Sequence, residues 1–325
     1  MSAAPHTPVL VEPALHALIV RRDGIYVDAT FGRGGHSRAI LERITKEARL
    51  VAIDRDADAE HAALAIDDSR FTFVRAWFSE SDAVLDRLSI DRIDGALLDL
   101  GISSPQIDEP QRGFSLRFEG PLDMRMDTSR GETAAQYLAR VDVPELTRVL
   151  RDYGEERLAR PIAAAIIGAR TREPLMRTRQ LRELVAKVVG GRTRGDWRQD
   201  PATRTFQALR IQVNAELTEL SKALIALSRR LVAGGRIAVI SFHSLEDRIV
   251  KRFFARASDP FLGDERVAKL PIKSASLPTP PLSLVGRAVK PDASECERNP
   301  RARSAVLRVA QRTGSQWPAA LSNVA

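Results

Sequence analysis

Gly24-Ile-Tyr-Val-Asp28-Ala-Thr-Phe-Gly32-Arg-Gly34-Gly35-His36 is the stretch that decides the fold. Its apolar run, closing on Asp28, reads as a strand, and a helical pattern follows the glycines from Arg38 to Ile44. Twenty residues after Gly34, a second apolar strand, Leu50-Val-Ala-Ile-Asp54, ends in another carboxylate. Strand, glycine loop, helix, strand and acid make half of a nucleotide-binding α/β unit. Glycines let a backbone approach a ligand that a Cβ would push away. An acid at the second strand's tip can accept hydrogen bonds from both ribose hydroxyls.

Two kinds of adenosine cofactor fit this outline. A dinucleotide needs the loop and helix N-terminus to hold a pyrophosphate. S-adenosyl-L-methionine has no phosphate, and an acid before the glycines, as Asp28 is, can meet its positively charged amine. Ser37 breaks a full G-x-G-x-x-G, which favours the second reading.

Working outward, Phe71–Arg75, Ile93–Leu100 and Arg236–Phe242 read as further parallel strands beside Ile25–Thr30 and Leu50–Asp54. Helix-length stretches separate the first four, the α/β pattern. Residues 101–235 separate the fourth from the fifth, far more than the dozen or so a crossover needs, so something is inserted there. Residues 103–130 read as an irregular Gly-, Pro- and Asp-rich loop. Helical patterns follow at Thr133–Arg140, Pro144–Asp152, Glu155–Arg170 and Thr178–Val189, and Pro161 should kink the third. Residues 190–201 read as a basic linker. One long helix is expected from Thr203 to Leu231, with Leu209, Val213, Leu217, Leu220, Leu224, Leu227 and Leu231 on one stripe and Gly234-Gly235 as its stop. Its first half belongs to the insert and its second to the sheet. Residues 258–300 read as a proline-rich surface excursion, and Arg303–Gln311 as a final edge strand. The expected domains are residues 1–104 with 216–312, residues 105–215 as the helical insert, and residues 313–325 as a disordered tail.

A chain of 325 residues with 44% hydrophobic content can bury a real core, and its net charge of +8 admits a polyanionic partner without requiring one. One cysteine, Cys296, rules out an internal disulfide and fits a reducing cytoplasm. No apolar stretch reaches the ~18–20 residues that cross a bilayer, and no leader pattern opens the chain.

Asp99 ends the fourth strand, so Asp28, Asp54 and Asp99 should ring one crevice beyond the strand tips. An acid at the fourth tip can hold an exocyclic amine, whose lone pair is delocalised into its base, and tilt it toward a reactive geometry. Positioning then supplies most of the acceleration. A strand-end cap is the plain alternative for Asp99. A C5 pyrimidine target would need a cysteine near the site, and Cys296 is not near one. No histidine pair among His6, His16, His36, His61 and His243 has metal-ligand spacing. His36 and His243 fall on the crevice side. Phe78 suits an adenine stack or a core position equally. Arginines at 170, 172, 177, 179, 182, 192, 194, 198 and 204 in the insert, and the cations Arg287, Lys290, Arg298, Arg301 and Arg303, are phosphate candidates.

Taken together, Asp28 to Ser37, Ala52-Ile-Asp-Arg-Asp56, Leu98 to Gln106, Arg112-Gly-Phe-Ser115, Gly120-Pro-Leu-Asp-Met-Arg-Met-Asp127, Tyr153 to Arg157, Pro201 to Ala208 and Ser241-Phe-His-Ser-Leu-Glu-Asp-Arg248 closely resemble the RsmH/MraW family. These are bacterial small-subunit ribosomal RNA cytosine-N4 methyltransferases. The resemblance implies a Rossmann-like S-adenosylmethionine-dependent sheet with an inserted, mostly helical domain, S-adenosyl-L-methionine as donor, and a decoding-region cytidine as target. It implies cofactor contacts at Gly34, Gly35, His36, Asp54, Phe78, Asp99 and Gln106. Asp99 and His243 are the catalytic candidates, and no metal is expected. Small-subunit ribosomal RNA, within the subunit, is the implied partner in the cytoplasm, with no membrane, and a homodimer stays open. An NAD-dependent oxidoreductase, another amino-methyltransferase of DNA or RNA, and a non-catalytic assembly factor are the alternatives.

Overall fold

A computed structural model describes residues 8–190, 200–262 and 277–322. The chain divides into two compact units, Met1–Gly101 with Leu217–Ala325, and Ile102–Glu216.

The first unit is built on a sheet. Five strands run parallel: β1 (Ile25–Asp28), β2 (Arg49–Asp54), β3 (Phe71–Arg75), β4 (Ile93–Asp99) and β5 (Leu231–Ser241). β6 (Leu282–Leu284) and β7 (Val306–Arg312) are antiparallel additions, and the order is β3-β2-β1-β4-β5-β7-β6. Both faces are covered, so the central strands are continuously apolar rather than alternating. Val27, Val51, Leu98 and Val239 face one side, where Leu220, Leu224 and Leu227 of α11 (Glu216–Arg230) and Val250 and Phe254 of α12 (Ser244–Ala257) pack. Tyr26, Leu50, Leu97 and Ile240 face the other, under Leu15 and Leu18 of α1 (Val11–Leu18) and Ile40 of α2 (Gly35–Leu41). β1 has β2 on one side and β4 on the other, so the chain reverses its direction of travel across the sheet there. This is the place where such sheets take ligands.

α3 (Ala57–Ala63) and α4 (Ser81–Arg87) link the early strands. The inserted unit carries α5 (Ser104–Asp108), α6 (Ala134–Arg140), α7 (Val143–Gly154), α8 (Ala159–Arg170), α9 (Thr178–Gly190) and α10 (Thr203–Asn214). Its core is separate and gathers Leu146, Leu150, Ile162, Ile166, Leu181, Val185, Phe206 and Leu209.

Several expectations need correction. Pro161 neither kinks nor splits a helix. Glu155, at φ 49°, ends α7, and α8 begins at Ala159, so Pro161 lies in its first turn, where a missing N–H costs nothing. The single helix from Thr203 to Leu231 is two, broken at Ala215 with φ 49°. Asn214 explains the break: its amide donates to the Met124 carbonyl at 2.7 Å and accepts from Met126 N–H at 2.8 Å. The second helix stops at Arg230, not at the glycine pair. β5 pairs Leu231 with Ile93, then Arg236 with Gly95, and Gly234 (φ 85°) sits in the bulge between. β7 is not an edge strand, because β6, unforeseen in the proline-rich excursion, pairs outside it. The expected disordered tail is seated through Ser322: Trp317 packs on the sheet core and Leu321 is buried.

Candidate active site

Asp28, Asp54 and Asp99 close the three neighbouring strands β1, β2 and β4, as the sequence predicts, but they do different work. Asp28 is sealed. Its carboxylate accepts from the Ser37 hydroxyl at 2.6 Å and from Thr30 N–H at 3.2 Å, tying the loop to the start of α2. Burial pushes it up to about 6, against those two hydrogen bonds, and nearby Asp54 adds a little. This corrects the expectation that it meets a cofactor amine: it is 0% exposed and serves the loop from beneath.

Asp54 accepts from Gly32 N–H at 2.7 Å and from Asp56 N–H at 2.9 Å. Burial raises it above the ordinary carboxylate range despite those donors. Each oxygen keeps a further lone pair.

The glycines have a different reason from the one the sequence suggests. Gly34 caps α2 at φ 77°, and a Cβ there would lie 2.7 Å from the Phe31 ring. A Cβ on Gly35 would lie 2.8 Å from Pro8. Protein atoms therefore demand glycine at both positions. Gly32, at φ 57°, is the one of the three whose missing Cβ would face open space.

Asp99 is the unusual group. Its N–H donates to the Thr30 hydroxyl at 2.6 Å, which docks β4 on the loop after β1. Its Oδ2 lies 3.5 Å from His36 Nδ1, while its Oδ1 is buried with no hydrogen-bond partner among the described residues. Burial drives its pKa well above the usual range, and Asp28 and then Glu246 push the same way. An unpartnered buried carboxylate oxygen carries the full cost of lost hydration, while the side chain as a whole stays 21% exposed at the strand tip. The His36 ring, 5% exposed, puts Nε2 3.1 Å from the Val9 carbonyl. A carbonyl only accepts, so Nε2 carries the proton and Nδ1 faces Asp99.

His243 is at the N-cap of α12. Its Nδ1 accepts from Glu246 N–H at 3.4 Å, and Glu246 accepts from Phe242 and His243 N–H at 2.9 and 3.3 Å. Its Nε2 lies 3.2 Å from the same carboxylate. Glu246, 3% exposed, went unnoticed in sequence, although His243-Ser-Leu-Glu246 has the spacing of a capping box. Phe78 is half-buried and packs on the sheet core, the plainer of its two readings. Gln106 lies in the other unit, in α5, where its amide oxygen accepts from Ser103 N–H.

The Asp123 to Asp127 motif has a role inside the insert. Asp123 grips Arg125 through both oxygens, Met124 (φ 62°) is fully buried, and the Met124 and Met126 backbone is what captures Asn214. The insert's arginines are largely occupied. Arg170 donates to the Leu138 and Val141 carbonyls that end α6, Arg177 and Arg179 pair with Glu119, Arg182 pairs with Asp200, and Arg204 reaches the Glu155 carbonyl. Positions 192, 194 and 198 lie outside the described residues. Arg287, Lys290 and Arg303, by contrast, are exposed and form no ion pair among the described residues.

Residues 3–313 match the model of the MraW methylase family. A protein of Aromatoleum aromaticum named ribosomal RNA small subunit methyltransferase H is 56% identical over 315 residues, covering 97% of this chain and 99% of that one. Proteins of the same name from Methylobacillus flagellatus and Dechloromonas aromatica are 55% and 52% identical, covering 95% and 94% of this chain and 94% and 98% of theirs.

Proposed function

The chain belongs to the MraW methylase family, and we propose on that premise that it methylates small-subunit ribosomal RNA at the exocyclic N4 amine of a cytidine. The donor is S-adenosyl-L-methionine, which supplies an electrophilic methyl group on sulfur when bound. We take the substrate to be RNA in the small subunit, in the cytoplasm. Among the described residues, no helix is long and apolar enough to cross a membrane.

The residues present suit that donor. Asp54 keeps lone pairs for a ribose diol at the tip of β2, and Gly32 leaves the loop open beside it. His36 and Asp99 lie where β1 and β4 adjoin. We expect Gly34 and Gly35 to hold the loop's shape, and Phe78 to border the cofactor.

One observation carries the catalytic assignment: the Asp99 carboxyl is 21% exposed at the tip of β4, and its Oδ1 has no hydrogen-bond partner among the described residues. That carboxyl accepts an N–H of the target amine. Fixing one amine hydrogen turns the nitrogen lone pair out of conjugation with the base, and holds it in line for transfer. With Oδ2 turned to His36, the orientation of the carboxyl is set before substrate arrives. The methylated nitrogen is strongly acidic and must release a proton, for which Asp99 or water is the acceptor. His243 supports the same tip by fixing Glu246, which raises the proton affinity of Asp99.

The test is transfer of labelled methyl from S-adenosylmethionine to small subunits from a strain lacking the gene, read by nucleoside mass spectrometry. N4-methylcytidine is expected. Asp99→Ala should lower turnover by about 10²–10³-fold, the loss typical of one transition-state hydrogen bond, with the circular dichroism spectrum unchanged. Unaltered turnover in that variant would overturn the assignment.

A further inference from the structure

The His36 side chain is oriented from a distance. Nε2 donates to the Val9 carbonyl, which has no side chain to mutate and whose aim depends on the turn that holds it. That turn runs through Pro8, seated against Gly35, and Leu10, which adopts φ 53° although it is not glycine. Such a backbone costs about 1–2 kcal/mol for an L-residue and needs outside support. Support comes from the other end of the chain: the Glu295 carboxylate accepts from Leu10 N–H at 2.7 Å. Glu295 lies in α13 (Ala293–Arg298), in the excursion before β7, and is only half-buried.

We infer that Glu295 is a positioning residue for methyl transfer, acting through Leu10, Val9 and His36 on Asp99. The inference rests on the reading of Asp99 given above. With Nε2 committed to Val9, Nδ1 is held facing the Asp99 Oδ2 at 3.5 Å. Oδ2 then faces the ring, and Oδ1 is left for the amine. If the Val9 carbonyl turns away, the anchor on Nε2 is lost and the placement of Nδ1 against the Asp99 carboxyl changes. Glu295 reaches the glycine loop only through the turn at Pro8 and Val9, so its effect should fall more on turnover than on donor affinity.

Glu295→Ala should lower kcat about tenfold, the loss of one hydrogen bond to a charged group, with the KM for S-adenosylmethionine within about twofold of the parent. Glu295→Gln, which keeps an accepting oxygen, should restore turnover to within about threefold. In a His36→Gln background, Glu295→Ala should cost less than about twofold more, because residues acting in one chain are not additive. An equal fractional loss with and without His36 would show that Glu295 acts on stability alone and would overturn the inference. If Glu295→Ala does not fold, Glu295→Asp, which keeps the charge and shortens the reach, enters the same comparison. Asp99→Asn is measured alongside. Full turnover there refutes the reading of Asp99, whereas its loss together with an unaffected Glu295→Ala refutes only the role of Glu295.

Discussion

Asp28→Asn should make folding stability less sensitive to pH. The carboxyl is fully buried and its folded pKa is about 6, against 3.8 for a free side chain. The folded protein therefore holds this proton more tightly than the unfolded chain does. Stability from this group is fully present below about pH 3.8 and is lost as pH rises through about 6. At about 1.36 kcal/mol for each pH unit between the two values, the total is about 3 kcal/mol. Nearly half of it falls between pH 5 and pH 8. Asparagine carries no charge there, can still accept from Thr30 N–H, and can turn its amide toward the Ser37 oxygen. Urea unfolding of both proteins at pH 5, 6, 7 and 8 isolates the effect, because other titrating groups cancel in the difference. The stability of the Asn variant relative to the parent should rise by roughly 1 kcal/mol across that range. A flat difference would refute the claim that the Asp28 charge is buried at a cost.

Gly34→Ala should destabilise the protein by roughly 1–2 kcal/mol from its left-handed backbone alone, before the contact with Phe31 is counted, and should weaken S-adenosylmethionine binding by calorimetry; an unchanged melting curve would contradict the packing described. Reversing Arg287, Lys290 and Arg303 to Glu should flatten the salt dependence of RNA binding by about 2 in log–log slope, at roughly 0.7 per phosphate contact. Reversing Arg177 and Arg179, already paired with Glu119, should do much less. The opposite ranking would move the RNA surface to the insert.

The sheet was legible in the sequence because its central strands are short apolar runs that end in carboxylates, and covering both faces leaves no polar interruption to blur them. The site was legible where a strand tip fixes a residue's place, as at Asp54 and Asp99. It was less so where tertiary contacts decide. Gly34 and Gly35 announce a tight loop, but only the positions of Phe31 and Pro8 show that protein atoms fill the space. The apolar stripe through Ala215 is unbroken as a pattern, and the break comes from Asn214 binding a backbone ninety residues away. β6 has three residues and no periodicity to detect. Glu246 could have been found, since its spacing from His243 is a local signal. Glu295 could not: nothing near it in the chain points to Leu10.

The pairing of β4 with β5 across residues 102–216 has a consequence for birth on the ribosome. β4 emerges with one apolar edge open, and its partner follows only after the whole insert has been translated, about 10 s later at ordinary elongation rates. An open edge of this kind invites pairing with another chain. The insert, with its own core of helices, can fold within that interval. What then separates β4 from β5 is a finished body instead of a long coil, and closing the sheet forfeits far less chain entropy. Destabilising the insert should therefore cost soluble yield in growing cells well before it costs stability in the purified protein.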